Sequence, residues 1–242
     1  MSYLFNLTIS KPFYNGLILL MKILPFFDAG VIIVIFTIIV KLVMLPLSIK
    51  ASKAQLEMKG IEKDLNAIKE KYKDNKEEQS KKTIEYYKEH GINPFASIFI
   101  LIIQLPIIIG LYRVFLKSGL PIINTTLLYS FVSAPASVNM IFLGLINISE
   151  KSIVLAVIAG ITTYFQISLA SKSQRDDSGQ GTQNDIAKAM ALNMKYFFPV
   201  LMTFIAYSIS SAVALYLITS NVFAVGQEIY IKKKYHKSVT VV

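Results

Sequence analysis

Lys41 is the residue whose type and position could best do chemistry in this chain. It lies in residues 29–49, a run of 21 residues with no other charge, and an α-helix needs roughly 20 apolar residues to cross a bilayer. An ammonium group in a membrane span costs roughly 2.5–3.5 kcal/mol on insertion scales, so such a residue usually faces a polar cavity. The alternative is that the lysine stem leans toward the membrane surface. Lys50 marks that surface about 13 Å away, at ~1.5 Å per residue. A lysine stem covers only part of that distance, and on this residue alone both interpretations stay open.

Other chemistries find little support in the sequence. The chain has no cysteine, which excludes disulfides, thiol catalysis, thiolate metal sites and a lipidated-cysteine anchor. Both histidines, His90 and His236, lie outside the apolar runs, and those runs contain no acidic residue. No nucleophile–base pair can therefore be identified for an enzyme working inside the membrane. We predict a non-enzymatic protein with no cofactor and no metal site.

The composition is that of a membrane protein. Of the 242 residues 54% are hydrophobic, and the mean hydropathy is +0.53, which would be unusual for a soluble domain. The net charge of +10 comes from basic residues that flank apolar runs, so we expect no nucleic-acid specificity. The N-terminus lacks a positive segment and a small-residue cleavage site, so no cleavable signal is expected.

The apolar runs predict an all-α polytopic protein with five transmembrane helices. The spans are predicted at residues 29–50, 94–116, 151–171, 194–209 and 211–231. Residues 196–227 are uncharged but too long for one span, so two helices turning near Ser208–Ser211 fit better. Residues 172–193 and 232–242 are predicted as a loop and a basic tail.

Two further segments are predicted to lie at the membrane surface. In residues 1–28 the polar residues share one helical face, which indicates an amphipathic segment along the interface. That polar face comprises Lys11, Asn15 and Lys22, and the apolar face comprises Phe13, Leu17, Leu20 and Leu24. Residues 117–150 contain prolines and many small polar residues, which indicates irregular interfacial structure.

Residues 51–93 differ abruptly from the rest. They hold ten lysines and nine of the fifteen acidic residues, and Lys73–Asn75 indicates a turn between two helices. One apolar stripe, spaced i, i+4, i+7, i+11, consists of Ile61, Leu65, Ile68 and Tyr72. The pattern predicts a water-exposed helical hairpin, whose simplest interpretation is a solvated connector. However, 43 residues is far longer than a connection requires.

The distribution of basic residues predicts the orientation. With the N-terminus outside and the C-terminus in the cytoplasm, 19 of the 25 basic residues fall in cytoplasmic segments and five fall outside. Such an imbalance favours a cytoplasmic hairpin, loop and tail.

Several motifs, in order, resemble one family, the YidC-type membrane protein insertases, which include the mitochondrial oxidase-assembly and thylakoid insertases. The stretch FTIIVKLVMLPL is similar to the family's FT-x-x-x-R-x-x-x-x-PL, with Lys41 in place of the arginine. The stretches KEHGINP and QLPIIIGLY resemble the family's most recognisable block. The last helices carry LYLITSN where the family has LYW-x-x-x-N, with Leu217 in place of tryptophan. Residues 210–213 replace a Pro-x-Gly-Leu motif.

The resemblance implies a bundle of five helices around a polar groove open to the cytoplasm and to lipid. A positively charged groove would lower the cost of moving a client's polar tail into the bilayer, so a role as insertase and chaperone is expected. The groove residues carried over or inferred from position are Thr37, Lys41, Gln104, Tyr216, Ser220 and Asn221, with Thr163, Gln166, Thr203 and Tyr207 as further positional candidates. For the Thr and Ser side chains, a hydrogen bond to the carbonyl one turn earlier is the competing interpretation. For Gln104 and Asn221 it is an interhelical hydrogen bond.

The resemblance also implies partners and a location. Nascent membrane proteins would be the clients, received by the apolar stripe of the hairpin, and the Sec translocon, the ribosome and membrane lipids would be further partners. The protein would act as a monomer in the bacterial plasma membrane. A channel or secondary transporter with Lys41 as an anion site is the alternative. Against it, the sequence shows no inverted repeat and no second intramembrane charge.

Overall fold

The structure is a computed structural model that describes residues 6–91, 109–110, 120, 122–171 and 182–239. The chain is predominantly helical, as predicted. One small departure from an all-α chain is a pair of two-residue strands between the helices.

The first helix is docked onto the loop that precedes the two strands. A π-helical turn, Asn6–Ser10, leads into α1, Lys11–Ile23, which has proline in its first turn. Asn15, predicted to lie on the polar face of an interfacial segment, is buried. Its Nδ2 donates to Leu127 O at 2.9 Å, and its Oδ1 accepts from Tyr129 N at 2.6 Å. The polar face of α1 therefore binds residues 124–129, because these loop backbone groups need partners away from water.

The second helix is long and continuous. α2, Ala29–Gly60, begins where Asp28 Oδ1 accepts from Val31 N at 2.9 Å, a side-chain cap. Pro46 lies inside the helix without ending it. The helix runs ten residues past the predicted end of the first span at residue 50. Residues 51–59 are rich in Ala, Lys, Gln, Leu, Glu and Met, which are strong helix formers, so the helix can continue into the polar segment.

The charged segment folds as two short helices. α3 spans Glu62–Lys71 and α4 spans Lys76–Glu89. Asn75 caps α4 by accepting from Glu78 N at 3.1 Å, and residues 72–75 form the turn between the helices.

Residues 122–150 are mostly irregular. They contain a 3-10 turn, Thr125–Leu127, and an antiparallel pair of strands, β1, Ile141–Phe142, and β2, Ile146–Asn147. In this pair Ile141 lies opposite Asn147, and Phe142 lies opposite Ile146. We call residues 139–150, which include both strands, the clasp.

Three helices complete the described fold. α5 is Ile153–Ser171, α6 is Thr182–Ile209 and α7 is Ser211–Val239, and the break between the last two falls at Ser210. α5 packs against α6 and α7, and α2 packs against α7. Gly160 allows the α5–α6 approach, since a Cβ there would overlap Thr203 Oγ1. Small residues allow such close helix contacts in membranes.

The apolar lengths of the helices differ. Among the described residues, the segments long and apolar enough to cross a bilayer are Ala29–Ala54 and Ser211–Lys234. Shorter apolar segments lie at Ile153–Leu169 and Lys195–Ile209. At ~1.5 Å per residue the shorter pair would extend roughly 22–25 Å, less than a ~30 Å hydrocarbon core.

The buried core lies at one end of the bundle. We call this the loop end, because the first residues of α2, α5 and α7 meet there with α1 and the loop of residues 122–150. Its core includes Tyr14, Ile18, Ile32, Ile148 and Val213. Toward the other end, which we call the hairpin end, residues 38–50 of α2 and 222–230 of α7 include no buried residue, and burial resumes beyond them at Ala51, Ser52 and Ile231.

Candidate functional site

A polar stripe runs along α2 and includes Lys41. Thr37, Lys41, Ser48 and Ser52 are spaced so that they share one helical face. Thr37 and Ser52 are buried and Lys41 is half-buried, whereas the neighbouring Leu42 and Val43 are exposed. The helix therefore turns the lysine away from its most exposed apolar face.

Thr37 and Ser48, on either side of Lys41 in this stripe, make different hydrogen bonds. Thr37 Oγ1 donates to Ile33 O of the same helix at 2.6 Å. This bond to the carbonyl one turn earlier is the alternative to a role in lining the groove. Near the hairpin end Gln227 Nε2 of α7 donates to Ser48 Oγ at 2.5 Å, which joins α7 to α2. Lys41 lies between these contacts, in the stretch of residues 38–50 that includes no buried residue.

Asn221 connects α7 to α5. It is buried on α7, and its Nδ2 lies 2.8 Å from Thr163 Oγ1, 3.2 Å from Thr162 Oγ1 and 3.4 Å from Ala159 O of α5. Thr163 Oγ1 in turn donates to Ala159 O at 2.7 Å, so its lone pair is available to the amide. Of the two interpretations left open by the sequence, these bonds favour the interhelical one.

The remaining groove candidates occupy varied positions. Tyr216 and Ser220 are buried on α7, one turn apart. Thr203 Oγ1 donates to Pro199 O of its own helix at 2.9 Å. Tyr207 is exposed and lies under the Lys151 ammonium, 5.7 Å from the ring centroid, near the loop end. Gln166 is half-buried on α5, and Gln104 lies outside the described residues.

The apolar stripe of the hairpin lies where α3 and α4 pack together. Ile61 and Leu65 are buried, while Ile68 and Tyr72 are half-buried. Ile61 and Leu65 are therefore covered within the folded chain, whereas Ile68 and Tyr72 stay partly accessible.

Two polar bonds hold the hairpin helices together. Gln79 Nε2 donates to Lys69 O at 2.7 Å, and Tyr86 Oη donates to Asp64 Oδ2 at 2.5 Å. The bond to Asp64 raises the pKa of Tyr86 above its ordinary value because the neutral phenol is the donor.

Sequence reasoning missed several structural contacts. Tyr14 Oη accepts from Asn124 N at 2.7 Å, and Lys232 Nζ donates to Leu169 O at 2.6 Å, near the end of α5. A lysine at the inner end of a span is expected to anchor the tail at the membrane surface, but Lys232 also caps a neighbouring helix. Lysine side chains often bond to the last carbonyl groups of a helix, so the sequence hints that a cap is possible. The spacing of residues along the chain does not reveal that the capped helix is α5.

Comparisons with known proteins agree with the resemblance. The profile of the family described as 60Kd inner membrane protein matches residues 20–238. A protein named membrane protein insertase YidC from Fusobacterium nucleatum is 33% identical over 205 residues, which cover 85% of this chain and 86% of that protein. One of the same name from Clostridium tetani is 34% identical over 209 residues, covering 86% and 84%.

A longer relative matches this chain over only part of its own length. The membrane protein insertase YidC of Chloroherpeton thalassium is 28% identical over 205 residues, which cover 84% of this chain but 33% of that protein. The profile match and the two relatives of similar length together show that this chain belongs to the YidC-type family of membrane protein insertases.

Proposed function

We propose that this protein moves nascent membrane proteins from the cytoplasm into the bilayer through a polar groove among its helices. Members of the family are insertases and not enzymes. The observation that supports a groove is the looser packing around Lys41: residues 38–50 of α2 and 222–230 of α7 include no buried residue, whereas the core at the loop end is buried and burial resumes at Ala51, Ser52 and Ile231. The less tightly packed part of the bundle is therefore a middle stretch that contains Lys41.

Lys41 is the charge that this groove offers to a client. It lies in the less tightly packed middle stretch of the bundle, on the polar stripe of α2. In a low-dielectric setting an ammonium group attracts an acidic client tail far more strongly than it would in water. Because lysine is a point charge without the planar fork of arginine, it needs no fixed geometry in its partner. The apolar part of the client then leaves sideways into lipid.

The proposed orientation places the loop end outside and the hairpin end in the cytoplasm. The excess of basic residues in the hairpin, in residues 172–193 and in the tail supports this orientation. In that arrangement five spans cross the plasma membrane, and the hairpin of α3 and α4 opens to receive clients on Ile61, Leu65, Ile68 and Tyr72.

Further partners follow from the cytoplasmic surface. Lys233 and Lys234 are exposed beyond the helix cap made by Lys232 and form a basic surface. We assign to it weak contacts with the ribosome or anionic lipid, without nucleic-acid specificity. A single copy acts on its client, alone or beside the Sec translocon.

Reconstitution tests this function directly. The purified protein in proteoliposomes should make the translocated tail of a small membrane protein resistant to added protease, and empty liposomes serve as the control. A protein that conducted anions and inserted no client would instead be a channel or transporter. Family membership favours the insertase over that alternative.

A further inference from the structure

The clasp binds the first residues of two long helices at once. Ala29 N donates to Asn139 O at 2.8 Å, and Leu143 N donates to Asp28 Oδ2 at 3.1 Å, so the clasp is tied to the start of α2. Ser211 N donates to Glu150 O at 2.8 Å and Ala212 N donates to Ile148 O at 3.0 Å, so it is also tied to the start of α7. The clasp is therefore held at the level where both helices begin.

Four large apolar side chains are exposed around this point. Phe26 is 93% exposed and Phe27 48% exposed, just before Asp28, while Leu143 is 64% and Leu145 83% exposed at the turn between β1 and β2. We call these four residues the apolar collar. Scattered exposed apolar residues need no explanation, but a cluster of large ones beside a membrane span does.

The turn of the clasp holds a leucine where the backbone disfavours one. Leu145 N donates to Phe142 O at 3.0 Å, and the two central residues, Leu143 and Gly144, have φ of 52° and 73°. Asn, Asp or Gly usually occupies the first of these positions in such hairpin turns, because a leucine with positive φ costs roughly 1–2 kcal/mol. The side chain recovers little of this cost by packing within the chain, since it is mostly exposed.

A lipid surface is the occupant that fits this collar. Asp28, which bonds to the clasp turn, immediately precedes Ala29, the first residue of the 26-residue apolar segment that can cross a bilayer. In a bilayer crossed by this segment, the collar would lie where the hydrocarbon core meets the headgroups. Aromatic and aliphatic side chains are stabilised at that depth by burying apolar area while nearby backbone stays hydrated.

We propose that the apolar collar inserts into the membrane interface beside the N-terminus of α2 and anchors the clasp to lipid. The proposal requires residues 29–54 to span the membrane and is independent of whether the protein inserts clients. Burial in lipid then offsets the backbone strain of Leu143. A soluble partner or a second copy could also cover apolar residues, and the experiment below separates those cases.

Because the chain contains no tryptophan, one substitution supplies a single fluorescent probe. Leu145→Trp is prepared in the full-length protein and reconstituted in vesicles of phosphatidylcholine and phosphatidylglycerol, with or without lipids carrying a nitroxide near the headgroup. Asp74→Trp, at the exposed turn of the charged hairpin, is the water-exposed control. We expect a blue-shifted emission and strong nitroxide quenching for the Leu145→Trp variant, and neither for the Asp74→Trp variant.

A second variant separates lipid contact from folding. Leu143→Asn places a residue that tolerates positive φ in the turn, so the clasp stays folded while the collar loses an apolar anchor. Introduced beside Leu145→Trp, it should reduce the nitroxide quenching without lowering the thermal stability in detergent. Emission from the Leu145→Trp variant that matches that of Asp74→Trp would overturn the proposal. So would a blue shift without lipid quenching, which would mean contact with protein.

Discussion

The Nδ2 of Asn221, on α7, lies 2.8 Å from the Oγ1 of Thr163, on α5. This hydrogen bond joins the two helices through residues that are 58 positions apart in the sequence. The asparagine belongs to a motif that the family resemblance connects with the groove. The observed bonds give it a second task, because a buried amide in a membrane protein is stabilised by partners on a neighbouring helix. Substitution of Asn221 should therefore change the stability of the bundle, whereas substitution of Lys41 should change client insertion.

Asn221→Ala should destabilise the bundle. It removes the donor to Thr163, and such interhelical bonds contribute about 0.6–1.7 kcal/mol in membranes. Thermal unfolding in detergent of Asn221→Ala, Thr163→Val and the double variant measures the coupling between the two side chains. We expect the double variant to lose less stability than the sum of the single ones. Strict additivity would mean that the pair contributes nothing.

Gly160→Ala should weaken the packing of α5 on α6. The added Cβ would overlap Thr203 Oγ1 and lie 3.2 Å from Pro199 O, and overpacking of this kind costs about 1–3 kcal/mol. Gly226→Ala is the matched control, since a Cβ at that helical glycine meets no atom within 4 Å. Thermal unfolding should show a loss for the first variant only, with partial recovery when Thr203→Ala is added. Equal stability of both glycine variants would contradict the close approach.

Asp28→Asn should release the clasp while keeping the helix cap. One carboxylate oxygen caps α2 at Val31 N, and the other accepts from Leu143 N. Asparagine retains one acceptor and is a good cap, whereas Asp28→Ala loses both bonds and about 0.5–2 kcal/mol for the cap alone. Hydrogen exchange should quicken in residues 139–147 for both variants, and at the start of α2 for Asp28→Ala only. Unchanged exchange of the clasp in both would show that the carboxylate does not hold it.

Hairpin closure should depend on the protonation of Tyr86. The neutral phenol donates to Asp64, which raises the pKa of Tyr86 in the closed hairpin. This contribution is fully present below the ordinary tyrosine pKa of about 10 and is lost as pH rises through the raised value. Fluorophores on cysteines introduced at Ala67 and Lys81 report the separation of α3 and α4 in a chain that lacks other cysteines.

The matched variants for the hairpin are Tyr86→Phe and Tyr87→Phe. Tyr86→Phe should increase the separation already at neutral pH, and Tyr87→Phe should leave the response to pH unchanged. If Tyr86→Phe kept both the neutral-pH separation and the opening at high pH, another group would be responsible for closure.

Sequence periodicity predicted the helical character of the chain because apolar runs and charged segments differ so clearly. It placed Asn15 on the polar face of an interfacial segment, and the structure buries it against Leu127 and Tyr129. Helical spacing reveals which residues share a face, but it cannot reveal that a loop more than 100 residues away covers that face. The same reason explains why the clasp contacts of Asp28 could not be predicted.

Individual polar residues of the candidate site were harder to interpret. Thr37 and Thr163 were plausible groove residues by position, but both donate to a carbonyl of their own helix. Hydroxyl groups have this local partner in any helix, so sequence alone cannot separate the two cases. Lys41 is a clearer signal, since an ammonium group in a span needs polar surroundings that the assembled bundle must supply.

The most direct test of the groove charge is the insertion of matched clients by variants of Lys41. The assay is protease protection of a small membrane protein in proteoliposomes, with its translocated tail either acidic or neutral. We expect Lys41→Ala to slow insertion of the acidic-tailed client, Lys41→Arg to retain it, and neither to affect the neutral-tailed client or thermal stability. Insertion of the acidic-tailed client by Lys41→Ala at the wild-type rate would contradict the proposed role of the groove charge.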